Sequence, residues 1–164
     1  MTYTEIKGDL FQHFQKIGDN TFILPADRNI AYAHCIANDG KYGAGIAPIF
    51  IGQIFQSDTF VKRFLKENPW KGHGWSLCFN RLNGEHYLLE IELVTKEFTY
   101  EKPTYETITE AIKHLKHECI QNDISLLRIP KIGCGLDGLD WNIVSSIIKD
   151  IFKDSLIDIE VYYL

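Results

Sequence analysis

Lys96 ends an apolar run, and Asp137 lies inside a glycine-rich loop. An amine can attack or steady charge and a carboxylate can move a proton, but residue type and spacing alone do not pair these two. Each alone is commonplace, Lys96 as a solvated strand-end charge and Asp137 as a turn residue. Two glycine loops surround them in the sequence. The first is Asn38-Asp39-Gly40-Lys41-Tyr42-Gly43-Ala44-Gly45-Ile46, and the second is Pro130-Lys131-Ile132-Gly133-Cys134-Gly135-Leu136-Asp137-Gly138-Leu139. Glycine permits positive φ and close backbone approach, and a loop that opens a helix offers unpaired N–H groups. Two such loops at strand ends make a cradle for a diphosphate without a basic side chain. For either loop alone the competing reading is a tight turn.

Other candidate chemistry is weaker. Gly133, Gly135 and Gly138 match G-x-G-x-x-G, yet that fingerprint opens a dinucleotide domain, whereas here one helix and one strand remain. Asp137 within the loop would also repel a pyrophosphate unless it points elsewhere for a purpose. Cys35, Cys78, Cys119 and Cys134 show neither C-x-x-C nor zinc spacing and read as free thiols, most of them buried. Cys134, between glycines, has no base near it in sequence. His114 and His117 lie off the apolar face of their helix beside Lys113 and Lys116, which reads as a solvated face rather than a metal pair. His34 belongs to a buried strand, either as a satisfied core histidine or as a residue supporting the site from behind. Trp70, Trp75 and Trp141 read as packing groups, since no basic run interleaves them.

The elements that must position these residues alternate between strand and helix, which predicts a layered α/β domain. Strands are expected over 2–6, 22–24, 31–36, 75–81, 86–95, 125–129 and 157–164, with a hairpin around Asn83-Gly84. Helices are expected over 43–55, sunk in the core, and over 59–68 with Thr59 near its cap. Two more follow: one from Thr104, carrying Tyr105, Ile108, Ile112, Leu115 and Cys119 on one face, and one over 140–152. At 164 residues a single domain spanning 1–164 with one core is the expectation. Seventeen Lys+Arg against 22 Asp+Glu give a net charge of −5, and no basic block favours generic grip on duplex phosphate. The apolar runs are too short for a membrane span and the N-terminus lacks the apolar core of a secretory signal, so a cytoplasmic monomer is expected.

The motifs together resemble the macrodomain family. Gly8-Asp9-Leu10-Phe11, Ala33-His34-Cys35-Ile36-Ala37-Asn38-Asp39, Gly43-Ala44-Gly45-Ile46-Ala47, Thr95-Lys96, Lys102-Pro103-Thr104-Tyr105-Glu106, the second glycine loop and Val161-Tyr162-Tyr163-Leu164 carry the likeness over nearly the whole chain. It is most similar to the branch of the terminal ADP-ribose protein glycohydrolase, with bacterial antitoxin relatives that act on ADP-ribosylated DNA. The segment 12–29 is longer than that pattern expects. The resemblance implies a three-layer α/β/α sandwich with a mixed, mostly parallel sheet. It also implies a pocket for ADP-ribose, free or on a modified macromolecule, and no cofactor or metal. In such a pocket Asp9 takes the adenine amino group, where without the resemblance it also reads as a helix or turn cap, and Leu10 contacts the purine. Tyr162 either packs on the adenine or belongs to the core. Asn38, Gly43, Ala44, Gly45 and Ile46 line one side of the diphosphate and distal ribose, and Pro130, Ile132, Gly133, Cys134, Gly135 and Leu136 the other. Lys96 and Asp137 then remove an acyl-linked ADP-ribose. Three alternatives stand beside that reading: a reader without turnover, an ADP-ribose 1″-phosphate phosphatase, and a DNA ADP-ribosyl glycohydrolase.

Overall fold

The computed structural model describes residues 1–164. Its centre is a six-stranded sheet built from β1 (Tyr3–Lys7), β4 (Ile30–Ala37), β5 (Trp75–Asn83), β6 (His86–Lys96), β7 (Leu126–Pro130) and β8 (Asp158–Tyr163). The strand order is β1-β8-β7-β4-β6-β5, all parallel except the edge strand β5. Period-two alternation gives the sheet two apolar faces. Ala31 and Ala33 of β4, with Leu89, Ile91 and Leu93 of β6, pack under α2 (Tyr105–Gln121) and α3 (Trp141–Phe152). Ile30, Tyr32 and Ile36 face the other way, onto Phe50, Ile51, Val61 and Leu65. Burial on both faces is what a parallel sheet requires, and it makes the domain three layers.

The α2 helix begins as its sequence demands. Thr104 accepts the Thr107 N–H at 3.0 Å and Thr107 reciprocates to the Thr104 N–H, a capping box worth about 1 kcal/mol. Three local expectations change. The expected helix over 43–55 is a π-helical segment confined to Pro48–Ile54. Residues 43–46 precede it as loop and turn, Ala47 already has helical dihedrals, and Gly45 at φ +71° is incompatible with an earlier helical start. The helix expected at 59–68 is α1 (Asp58–Glu67); Ser57 holds its N-cap position and donates its hydroxyl to Glu90 instead of capping. The hairpin turns on Gly84-Glu85, because Asn83 pairs with His86 and is the last ladder residue. A two-strand ribbon, β2 (Gln15–Lys16) with β3 (Phe22–Ile23), fills the long segment before β4.

The topology decides where a ligand can lie. From β4 the chain goes through β5 to β6 on one side, then crosses by α2 to β7 on the other. Connections that leave a strand in opposite directions open a crevice at its carboxyl end. Both glycine loops and the loop after Lys96 rise from that edge.

Candidate functional site

A cleft of about 600 Å³ occupies the crevice. Its walls include Ile36 and Ala37 at the end of β4, Gly43, Ala44, Gly45 and Ile46 of the first loop, and Pro130, Ile132, Gly133, Gly135 and Leu136 of the second. Gly45 and Gly133 both have positive φ, the region where an L side chain is strained. A Cβ on Gly133 would also stand 2.6 Å from Ile108 Cδ1, so that glycine lets the loop lie against α2.

Lys96 and Asp137 meet at one wall of the cleft. Lys96 Nζ donates to Asp137 Oδ1 at 2.7 Å and to the Glu101 carbonyl at 3.0 Å. The strand geometry brings the lysine there. Ile36 pairs with Val94 but Ala37 pairs with Lys96, so Thr95 is an extra residue and the bulge re-aims the side chain that follows. The Lys96 and Asp137 side chains are only 12% and 20% exposed, so water screens the pair far less than a surface ion pair. An amine and a carboxylate in contact are thus set between two glycine loops at the edge of the cleft.

The residues from Phe98 to Lys102 were singled out by no motif except Lys102, yet Thr99, Tyr100, Glu101 and Lys102 all border the cleft. Lys102 donates from Nζ to the Leu136 carbonyl and ties this strap to the second glycine loop. Lys41, Tyr42 and Lys131, which belong to the two glycine loops but were given no role of their own, are further wall residues.

Five expected residues lie outside this lining. Asp9 Oδ1 accepts the Phe11 N–H at 2.9 Å. Leu10 is buried, as is Tyr162, whose hydroxyl donates to Glu160 at 2.7 Å and contacts His13 Nε2 at 3.1 Å. Asn38 commits its whole amide to the fold: Oδ1 accepts from Trp75 Nε1, and Nδ2 donates to the Asn68 carbonyl. Cys134 donates to the Ile132 carbonyl, and burial pushes its thiol up to about 11, so it stays protonated. All four cysteines are free, but only Cys119 is fully buried; the other three are half-buried.

Beneath the π-helical segment lies a buried polar layer. His34 stacks on Phe50 at 3.8 Å, and its Nε2 is 3.4 Å from Glu92 Oε1, while Nδ1 has no partner. Complete satisfaction of this core histidine is therefore not met. Burial holds His34 neutral, down to about 3. Burial first, and then the neighbouring Glu90, hold the Glu92 carboxyl well above its usual range. Arg81 donates to Glu90 at 2.6 Å. His114 stacks on His73 at the surface, 6.1 Å between ring centres.

No family model matches the chain. Human ADP-ribose glycohydrolase OARD1 is 32% identical over 161 residues, which cover 98% of this chain and 91% of that protein. Among solved structures, the macrodomain of Mycobacterium tuberculosis DarG aligns with a TM-score of 0.75 at 21% identity, over 99% of this chain and 98% of that one. Thermosipho africanus DarTG, solved in complex with ADP-ribose, gives 0.71 at 18% identity, over 98% of this chain and 41% of that one.

Proposed function

The chain belongs to the macrodomain family, with the ADP-ribose glycohydrolase OARD1 among its relatives, and from that premise we propose that it is a hydrolase that removes acyl-linked ADP-ribose. The observation that carries the reading is the 2.7 Å contact of Lys96 Nζ with Asp137 Oδ1 at the wall of a cleft between two glycine loops. A reader needs only the cradle. A paired amine and carboxylate at one end of it supply the parts of a reaction.

In this reading backbone N–H groups of the two loops hold the diphosphate and distal ribose, which puts the anomeric carbon beside Lys96. Asp9, with one oxygen already accepting the Phe11 N–H, offers the other to the adenine amino group. Leu10 and Tyr162 back that end from the core, and Cys134 and Asn38 shape the loops through the bonds described above. An ester at the anomeric carbon has a carboxylate leaving group, so moderate activation suffices. Lys96 acts on the anomeric carbon, and Asp137 takes a proton from the lysine or from a sugar hydroxyl and returns it. Borohydride trapping separates the two forms of the lysine's role, since only a covalent adduct with the opened ribose is reducible.

The test is a parallel assay of the purified protein on an ADP-ribosylated glutamate substrate, O-acetyl-ADP-ribose, ADP-ribosylated DNA and ADP-ribose 1″-phosphate, with calorimetry on ADP-ribose. Turnover of the acyl-linked substrates and micromolar binding, about −8 kcal/mol, are expected. Binding without any turnover would make the protein a reader. Turnover confined to the DNA or to the 1″-phosphate would assign the corresponding alternative.

A further inference from the structure

A chain of hydrogen bonds joins Lys96 to a residue well outside the Lys96–Asp137 pair. Lys96 Nζ has two acceptors, Asp137 and the Glu101 carbonyl. Glu101 belongs to the strap after β6, which closes on itself as a tight turn: the Glu101 N–H donates to the Phe98 carbonyl, and the Phe98 N–H to Glu101 Oε1. Beyond these internal bonds, Lys102 ties the strap to the second glycine loop, and the tie on the side of the first glycine loop comes from Asp39. Its own backbone extends the β4–β6 ladder, with the Asp39 N–H donating to the Glu97 carbonyl at 3.1 Å. Its carboxylate then reaches the strap. Asp39 Oδ2 accepts the Thr99 N–H at 2.9 Å, and Oδ1 accepts the Thr99 hydroxyl at 2.6 Å and the Lys41 N–H at 3.0 Å.

We infer that Asp39, acting through Thr99, is a positioning residue that holds the strap where its Glu101 carbonyl fixes Lys96 Nζ against Asp137. The same carboxylate takes the Lys41 N–H of the first glycine loop, so one side chain couples the phosphate cradle to the reacting amine. Asp39 is half-buried, and although burial raises its proton affinity, the Thr99 and Lys41 hydrogen bonds outweigh that and hold its carboxyl below the usual range. The brace therefore stays ionised throughout the neutral range. Its catalytic consequence rests on the hydrolase reading above; its effect on Lys96 does not.

Thr99→Val removes the hydroxyl donor at nearly constant shape, Thr99→Ser keeps it, and Asp39→Ala removes the whole brace. Two readouts apply to each variant: kcat and KM on O-acetyl-ADP-ribose beside the ADP-ribose Kd, and the rate at which an amine-reactive acylating reagent labels Lys96, read by peptide mass spectrometry. With Thr99→Val, kcat is expected to fall about 10- to 100-fold, the cost of a reacting group misplaced by about 1 Å, with Kd within threefold of wild type. Lys96 labelling is expected to quicken several-fold, and Thr99→Ser is expected to restore both. Should Asp39→Ala fail to fold, the two Thr99 variants still decide the matter. Wild-type labelling of Lys96 in Thr99→Val, or wild-type kcat there, would overturn the inference. An inactive wild-type protein whose Lys96 labelling still responds to Thr99→Val would instead sink the hydrolase reading and leave the brace standing.

Discussion

Gly135 allows binding to be separated from folding. Its φ is not in the positive region, and a Cβ built on it meets nothing within 4 Å. A side chain there meets neither a left-handed backbone nor a close Cβ contact, and it reduces the freedom of the unfolded chain, which stabilises by up to about 1 kcal/mol. Yet Gly135 lines the cleft, so the added atoms stand in the space of the ligand. Displacing a diphosphate from one backbone donor removes a hydrogen bond to a charged acceptor, about 1.5–3 kcal/mol. Gly135→Val should therefore bind ADP-ribose at least tenfold more weakly while unfolding at or above the wild-type urea midpoint. Gly45→Val has equally open surroundings but φ +71°, so it should lose binding together with about 1–2 kcal/mol of stability. Gly133→Ala combines φ +74° with the close approach to Ile108 Cδ1 and should lose stability most. Calorimetry and urea unfolding on the three variants give the ordering. Wild-type affinity in a folded Gly135→Val would mean that the second loop is only a turn and no cradle.

Lys96→Ala and Asp137→Ala should each abolish most hydrolysis of O-acetyl-ADP-ribose, and the double variant should be scarcely slower than the poorer single one, because the pair acts as a unit. ADP-ribose binding to Lys96→Ala should stay within a few-fold of wild type by calorimetry, and full activity in that variant would move the 1″-phosphate reading ahead. His34 predicts a pH dependence of stability. It is held neutral in the native state down to about 3, whereas the unfolded chain protonates it near 6.5, so the unfolded state binds the extra proton between those values. Stability from this group is therefore present above about pH 6.5 and declines as pH falls toward 3, by at most about 1.4 kcal/mol per pH unit. Glu92 has the opposite sign, its raised carboxyl favouring the fold most at low pH and less as pH rises. Comparing urea midpoints of wild type and His34→Gln from pH 4.5 to 7.5 isolates the histidine; equal pH slopes would show that it titrates like a solvated one.

Local physics was readable in the residues alone. The α2 cap at Thr104, the apolar face from Ile108 to Cys119 and the buried strands around Ala33 and Leu127 follow from hydrogen bonding and periodicity within a few residues. The two glycine loops were visible for the same reason, since glycine marks turns and close backbone approach wherever it stands, whereas the macrodomain fold came only from the resemblance that all the motifs carry together. Contacts between distant segments were not. Lys96 and Asp137, joined in the sequence only by the family resemblance, are 41 residues apart and meet because β6 and β7 flank β4, a strand order that no periodicity encodes. The fate of Asn38 was hidden likewise: its sequence context marks a ligand contact, and only packing shows its amide held between Trp75 and Asn68. The helix expected from Gly43 gave way over residues 43–46, where Gly45 turns the chain at φ +71° and the backbone lines the cleft instead. The strap from Phe98 to Lys102 has no signature of its own, because its role comes from what Asp39, Lys96 and Leu136 present to it across the crevice. Pattern along the chain reports which groups want burial, turn or exposure; which of them face one another is decided by the order in which the strands assemble.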